Sequence, residues 1–315
     1  MYNVVYRHKK QIIQRFKELF RGTNVQKKWN NATKTNPYVA GSLPRGVTAE
    51  MLLTAPFPTL VDVYAHFKDY LDTLPSDTEK DNLKSTLAKV FNYNSASAKI
   101  HNFFVDMMNG LSIHHCYYCD LNDISSYTDH QGKRHNQFDI EHVLDKGACP
   151  LVALSLFNFV PSCSHCNQDL KGTKLIGGTI ETAKRLSPTT NGYDFYHKVK
   201  FVVTPKPNAH SLEVDKKYVD DYEVDFVFKN NIYSYVVDIF NLKERYNQNQ
   251  AKGVAIDFMD TIRRNPPAHI QALADLEHVS YDEKFEEIFK MKYYRDNHYS
   301  MMKMREDLIR ALTQK

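Results

Sequence analysis

The chain has 315 residues, 42% hydrophobic and 25% charged, with a formal net charge of +4. That composition is ordinary for a soluble globular protein, and the length suggests two or three modules. No apolar run reaches the roughly 20 residues that span a bilayer, and the first residues lack a secretory signal's apolar stretch, so the expected setting is cytoplasmic, without membrane contact.

Residues 2–21 place Val5, Ile12, Ile13, Phe16, Leu19 and Phe20 near helical spacing, with Arg7, His8, Lys9, Lys10, Arg15, Lys17 and Arg21 between them and Gly22 at the end. This predicts an amphipathic helix whose basic residues form a solvated face. The Asn-rich stretch 27–43 reads as a loop with some helix. Helical spacing returns over 49–53, 59–74, 79–91 and 96–108, with Ser76 or Asp77 as a start signal and Asn109-Gly110 as a stop. Residues 1–110 thus read as an N-terminal helical region.

The next segment, 111–185, carries the chemistry. Its cysteines form two C-x-x-C pairs, Cys116/Cys119 and Cys163/Cys166, and a fifth, Cys149, stands apart. Without an export signal or a βαβ pattern, such pairs read as a tetrahedral metal site rather than a disulfide framework or a redox centre. Structural Zn²⁺ is the expected ion. His114, His115 and His165 are available as substitutes, but four thiolates suffice, and Cys149 reads as a buried thiol.

Between the pairs lies Phe138-Asp139-Ile140-Glu141-His142. Residues 137–144 alternate like a strand, and adjacent strand residues face opposite ways. Glu141 and His142 can therefore converge on one substrate only at a bulge, turn or strand end. A carboxylate offers a hard oxygen to Mg²⁺, and a neutral imidazole can take a proton from water.

From residue 186 the chain reads as a mixed, then helical, C-terminal region extending to 315. Segments 200–203, 223–228 and 232–236 suggest two or three strands. Helices follow over 251–264, 267–278, 281–294 and 300–312, broken at Asn265-Pro266-Pro267. Lys303, Arg305 and Arg310 lie on the last, which reads as a docking helix.

The order C-x-x-C, Glu141-His142, Asn158, C-x-x-C-Asn167 and Lys171-Gly172 resembles the HNH (His-Asn-His, ββα-metal) endonucleases of the four-cysteine subset, over about a fifth of the chain. The resemblance implies an α+β, mainly α fold: a central zinc-stabilised ββα-metal module between a helical N-terminal region and a C-terminal region of a few strands and then helices. It implies His142 as general base, and Glu141 and Asn167 as ligands of a catalytic Mg²⁺ or Mn²⁺. Asn158 would orient the His142 ring by a hydrogen bond, and Lys146, Lys171 and Lys174 would lie near phosphate. Asp145 stands where the family often has proline, Glu141 where it commonly has Asp, and Lys171 comes one residue later than the commonest spacing.

The expected activity is metal-dependent hydrolysis of DNA, with RNA as an alternative substrate. A further alternative is a zinc-stabilised module that binds nucleic acid or protein without catalysis. Helical extensions of this kind resemble anti-phage defence nucleases such as those of Septu-like two-component systems, which pair with an ATPase. This chain has no G-x-x-x-x-G-K-[ST] loop of its own, so nucleotide control would come from a partner.

Overall fold

The computed structural model describes residues 9–111 and 114–313; Val5, Arg7 and His8 of the expected first helix lie outside them. The fold is α+β and mainly helical, with three small antiparallel two-stranded sheets among the described residues. Contacts divide it into two units. One holds the described residues up to Tyr117 together with Ile124–Asp194, and the other holds Tyr118–Asp123 with the chain from Phe195 onward.

In the first unit, helix α1 (Lys9–Leu19) buries Ile12 and Phe16, the spacing of one helical face. Helix α2 (Val25–Thr35) supplies the helix expected within the Asn-rich stretch 27–43. Asn24, at φ 42°, accepts a bond from the Lys27 amide (2.8 Å) and starts a helix that buries Val25, Trp29 and Ala32 on one stripe. Helices α3 (Phe57–Asp72), α4 (Asp77–Val90) and α5 (Tyr93–Leu111) follow. Ser76 caps α4, whereas α5 runs through Asn109-Gly110 instead of stopping there. Glycine weakens a helix interior by only about 1 kcal/mol, which burial of Phe103, Phe104 and Val105 outweighs.

Strands β1 (Ser126–Thr128) and β2 (Arg134–Asn136) form an exposed hairpin. Strands β3 (Asp139–His142) and β4 (Phe159–Ser162) pair with Glu141 opposite Val160 and His142 opposite Phe159. Phe159 joins an aromatic core with Phe16 (6.2 Å between centroids) and Phe104 (6.0 Å). After β4 the chain winds through residues His165–Lys171 as a π-helix, not an α-helix. Such π turns are rare and often mark functional sites. A short helix α6 (Ile180–Leu186) ends this part.

In the second unit, a four-residue helix α7 (Phe195–Lys198) leads into strand β5 (Val199–Pro205), which pairs antiparallel with β6 (Tyr222–Phe228). The third expected strand, 232–236, is helical. Tyr233, Val236 and Val237 are buried at helical spacing, and the Asn230 side chain accepts from the Ile232 amide (3.1 Å) before α8 (Ser234–Ile239). Helices α9 (Leu242–Tyr246), α10 (Asn249–Arg264) and α11 (Pro267–Glu277) come next. The expected helix 281–294 is two helices, α12 (Tyr281–Phe289) and α13 (Met291–Asp296), broken at Lys290 with φ 52°. Glu286 makes the break by accepting from the amides of Lys292 (2.9 Å) and Tyr293 (3.0 Å), so it caps the new helix. Helix α14 (Met302–Thr313) docks on β5, where Asp307 accepts from the Phe201 amide at 3.0 Å. No helix among the described residues is long and apolar enough to cross a membrane.

Candidate metal centre and active face

Cys116 and Cys119 come from the turn that follows α5, and Cys163 and Cys166 from the end of β4 and the start of the π turn. Their Sγ atoms all lie within 4.8 Å of one another, and all four residues are buried. A tetrahedral zinc with bonds of about 2.3 Å separates its sulfurs by roughly 3.8 Å. The cluster is thus close to ligand spacing, and its donor chemistry fits Zn²⁺: four thiols converging in a buried place are stable as thiolates only around a cation. His165 is turned elsewhere, with Nδ1 at 2.8 Å from Asp169, and neither His114 nor His115 belongs to the group. Cys149 is buried apart, and burial pushes its thiol up to about 12, which leaves it protonated and inert.

The four-cysteine cluster sets the start of the π turn, since the Asn167 amide donates to the Cys163 carbonyl at 3.0 Å. Across from that turn stands β3. Asp139 and Glu141 share one face of the strand, being two residues apart. Asp139 Oδ2 accepts from Asn167 Nδ2 (3.0 Å) and from Gln168 Nε2 (2.8 Å). Those bonds fix which way the Asn167 amide is turned and leave its Oδ1 as the acceptor end. Glu141 is buried and ion-paired with Lys171, whose Nζ also donates to the His142 carbonyl at 3.1 Å. Burial raises the Glu141 carboxyl to about 7, against the pull of Lys171.

His142 is the last residue of the strand and is still paired with Phe159 in the ladder. Its Nε2 lies 3.2 Å from the Ala153 carbonyl, and the ring meets Tyr93 (4.5 Å) and Phe159 (5.0 Å) edge-on. A carbonyl can only accept, so Nε2 carries the proton and Nδ1 the lone pair. Burial, aided by the Lys146 charge, pushes the imidazole down to about 3. His142 is therefore neutral throughout the physiological range.

Asn158 does not touch the His142 ring. Fully buried, it accepts from the Leu144 amide (2.7 Å) and donates to the carbonyls of Leu144 (3.0 Å) and Val152 (3.1 Å). It thereby shapes the 143–158 loop, which in turn presents the Ala153 carbonyl to the ring. Asp145 accepts from the amides of Gly147 (2.9 Å) and Ala148 (3.1 Å) and so closes the turn that follows β3.

No protein-family model, curated protein or solved structure matches this chain. Of the three expected phosphate lysines, Lys174 is exposed, Lys146 is half-buried with its ammonium 5.1 Å above the Tyr93 ring, and Lys171 is fully buried beneath Glu141. Two participants were not foreseen. Asp139 was detectable, because strand periodicity puts it beside Glu141. Tyr93 was not, since it arrives from the start of α5 and only tertiary packing brings it to His142. Its phenol is pushed up to about 12 by burial and then by the charges of Asp139 and Glu141, so it stays protonated as a donor.

Proposed function

We propose that this chain is a metal-dependent endonuclease of the HNH kind, hydrolysing phosphodiester bonds in DNA. The observation that carries the reading is His142: a buried, neutral imidazole whose Nε2 is engaged by a main-chain carbonyl, leaving Nδ1 as a base. Glu141 precedes it in the same strand, and Asn167 is held to that strand through Asp139; both offer oxygen donors of the type that hold Mg²⁺ or Mn²⁺. In this reading Glu141 and Asn167 would hold the ion, which supplies Lewis-acid stabilisation of charge on the phosphate.

The protein's own groups divide the remaining work. His142 Nδ1 takes a proton as a water oxygen forms its bond to phosphorus, and the P–O bond to the leaving oxygen breaks, that oxygen then gaining a proton from solvent. Asp139 holds Asn167 in one orientation. Tyr93 and Phe159 wall the imidazole and keep it uncharged. Lys146 places a cation at the edge of the face, suited to a phosphate oxygen. Four cysteinates around Zn²⁺ hold the π turn in register with β3.

The deciding experiment is nicking of supercoiled plasmid by zinc-loaded protein with Mg²⁺ or Mn²⁺ added. The His142→Ala protein, with zinc content and fold unchanged, is expected to lose the activity; undiminished cutting by it would end the assignment. RNA and single-stranded DNA belong in the same assay, as does any partner encoded beside the gene. A role in anti-phage defence alongside an ATPase is part of the proposal, and it requires that His142→Ala abolish protection in a host carrying the locus.

One observation favours a second reading, a zinc-stabilised binding module without catalysis. Lys171 already neutralises Glu141, so the carboxylate needs no divalent ion to be stable where it is. Nucleic-acid binding with no Mn²⁺ bound at millimolar concentration would favour that alternative.

A further inference from the structure

The β1–β2 hairpin has no part in the chemistry above, yet it is built with more care than an exposed loop requires. Tyr127 and His135 sit opposite each other in the ladder, with rings 5.1 Å apart and tilted by only 16°. Asp129 locks this stack. Its Oδ2 accepts from His135 Nε2 at 2.7 Å, and its Oδ1 accepts from the amides of Gln131 and Lys133, each at 2.9 Å. Gly132, at φ 79°, completes the turn, which only a residue without a Cβ adopts freely.

An isolated two-stranded hairpin is marginal in water, so the locked turn keeps a particular surface in place. That surface is aromatic and basic. Tyr127 is 53% exposed although one of its faces is covered by the imidazole, so the other face is open to solvent. Lys133, two residues before His135 and so on the side of the stack, is exposed beside it; Arg134 alternates to the opposite face and meets Asp106 at 3.2 Å.

We propose that this hairpin binds a single-stranded segment of nucleic acid, with an unpaired base stacked on the open face of Tyr127 and an adjacent phosphate held by Lys133. Charge complementarity and the half-filled stack together favour that occupant. A protein surface would bury Tyr127 but has no need of a flat, pre-ordered ring, whereas every base has a face to stack. The inference rests on the nuclease reading for its purpose, because His135 precedes His142 by seven residues. Seven residues span at most roughly 25 Å. At about 3.4 Å per nucleotide, the platform lies within about seven nucleotides of the base at His142.

The test uses full-length, zinc-loaded protein carrying His142→Ala, titrated without added divalent ions against three fluorescein-labelled 20-mers, oligo-dT, oligo-U and a mixed-sequence duplex, and read by anisotropy. Tyr127→Ala is expected to weaken oligo-dT or oligo-U binding by about 5- to 150-fold, the range for losing one stacked base, while Tyr127→Phe binds like the parent. Lys133→Ala is expected to lower the slope of log affinity against log salt by about 0.7. The dT and U arms separate DNA from RNA.

Unchanged binding in Tyr127→Ala, or equal losses for duplex and single strand, overturns the proposal. Circular dichroism and zinc content check that the exposed substitution leaves the fold intact. If Tyr127→Ala loses binding while no form of the protein ever cuts, the hairpin stands and the nuclease reading falls. If His142→Ala abolishes cutting and Tyr127→Ala changes nothing, the reverse holds.

Discussion

Lys171→Met is the sharpest probe of the active face, because it removes the cation that lies under Glu141 while keeping the length of the side chain. Both partners are buried, with side chains 0% and 3% exposed. Removing one member of a buried ion pair destabilises by about 3–5 kcal/mol, mostly as the penalty of leaving the other charge uncompensated. Only the ionised carboxylate incurs that penalty. Glu141 already titrates near 7 with Lys171 present, and loss of the cation raises it further. At pH 8, one unit above the value of about 7, the acid can take up a proton instead of staying charged, so the variant is expected to lose about 1.4 kcal/mol relative to pH 5. At pH 5, where Glu141 is protonated in both proteins and Lys171 is itself a buried cation facing a neutral acid, the loss shrinks to zero or changes sign. The assay is urea unfolding of zinc-loaded protein at the two pH values. Glu141→Gln combined with Lys171→Met should recover most of the loss at pH 8, since no buried charge remains. An equal loss at both pH values, or no recovery in the double variant, would refute the electrostatic account and leave Lys171 as packing alone.

Asn158→Ala strips partners from the Leu144 amide and the Leu144 and Val152 carbonyls, all buried, and is expected to cost about 3–5 kcal/mol in chemical denaturation; a loss under 1 kcal/mol would mean the loop is held by something else. Titration of the thiols with a mercurial should release zinc, detected with a chromogenic chelator, and Cys163→Ser should abolish the signal; protein with no zinc by elemental analysis contradicts the cluster's assignment. His142 carries a testable sign in pH. Its folded value, about 3, lies below the ordinary 6.5. The folded state therefore binds fewer protons in that window, and the neutral ring's contribution, full above 6.5, is lost as pH falls toward 3, by up to about 5 kcal/mol. Glu141 works in the opposite direction between about 4.5 and 7. Comparison with His142→Gln cancels the Glu141 effect, and the variant should resist acid unfolding to lower pH than the parent.

What could be read in advance followed how local the physics is. Caps and periodic stripes acted within one helix, so α3, α4 and α10 appeared near their places. Where two local signals competed, tertiary packing chose. The β-branched run 232–236 reads as a strand by residue type, but the spacing of Tyr233, Val236 and Val237 is helical, and burial rewards spacing. Asn24 in the left-handed region started a helix in a stretch whose polarity suggested a loop with some helix. The break at Lys290 needed a carboxylate from four residues earlier, reaching over the helix end to the next amides.

The same division runs through the candidate site. Residue type selected Glu141 and His142, because metal and acid–base chemistry demand particular atoms, and the resemblance to HNH nucleases added Asn158 and Asn167. Spacing carried no information on what each atom faces. The π turn ends on Lys171, whose side chain lies inward under β3 against Glu141 instead of outward to solvent. A basic residue expected at the phosphate thus becomes the counter-ion of a buried carboxylate, and Lys146, cradled by Tyr93 from a distant helix, is left as the cation at the rim. The π turn that carries Lys171 is therefore the feature that makes Glu141 tolerable in the interior, and shortening it by deleting Leu170 should expose the lysine and strand the acid together.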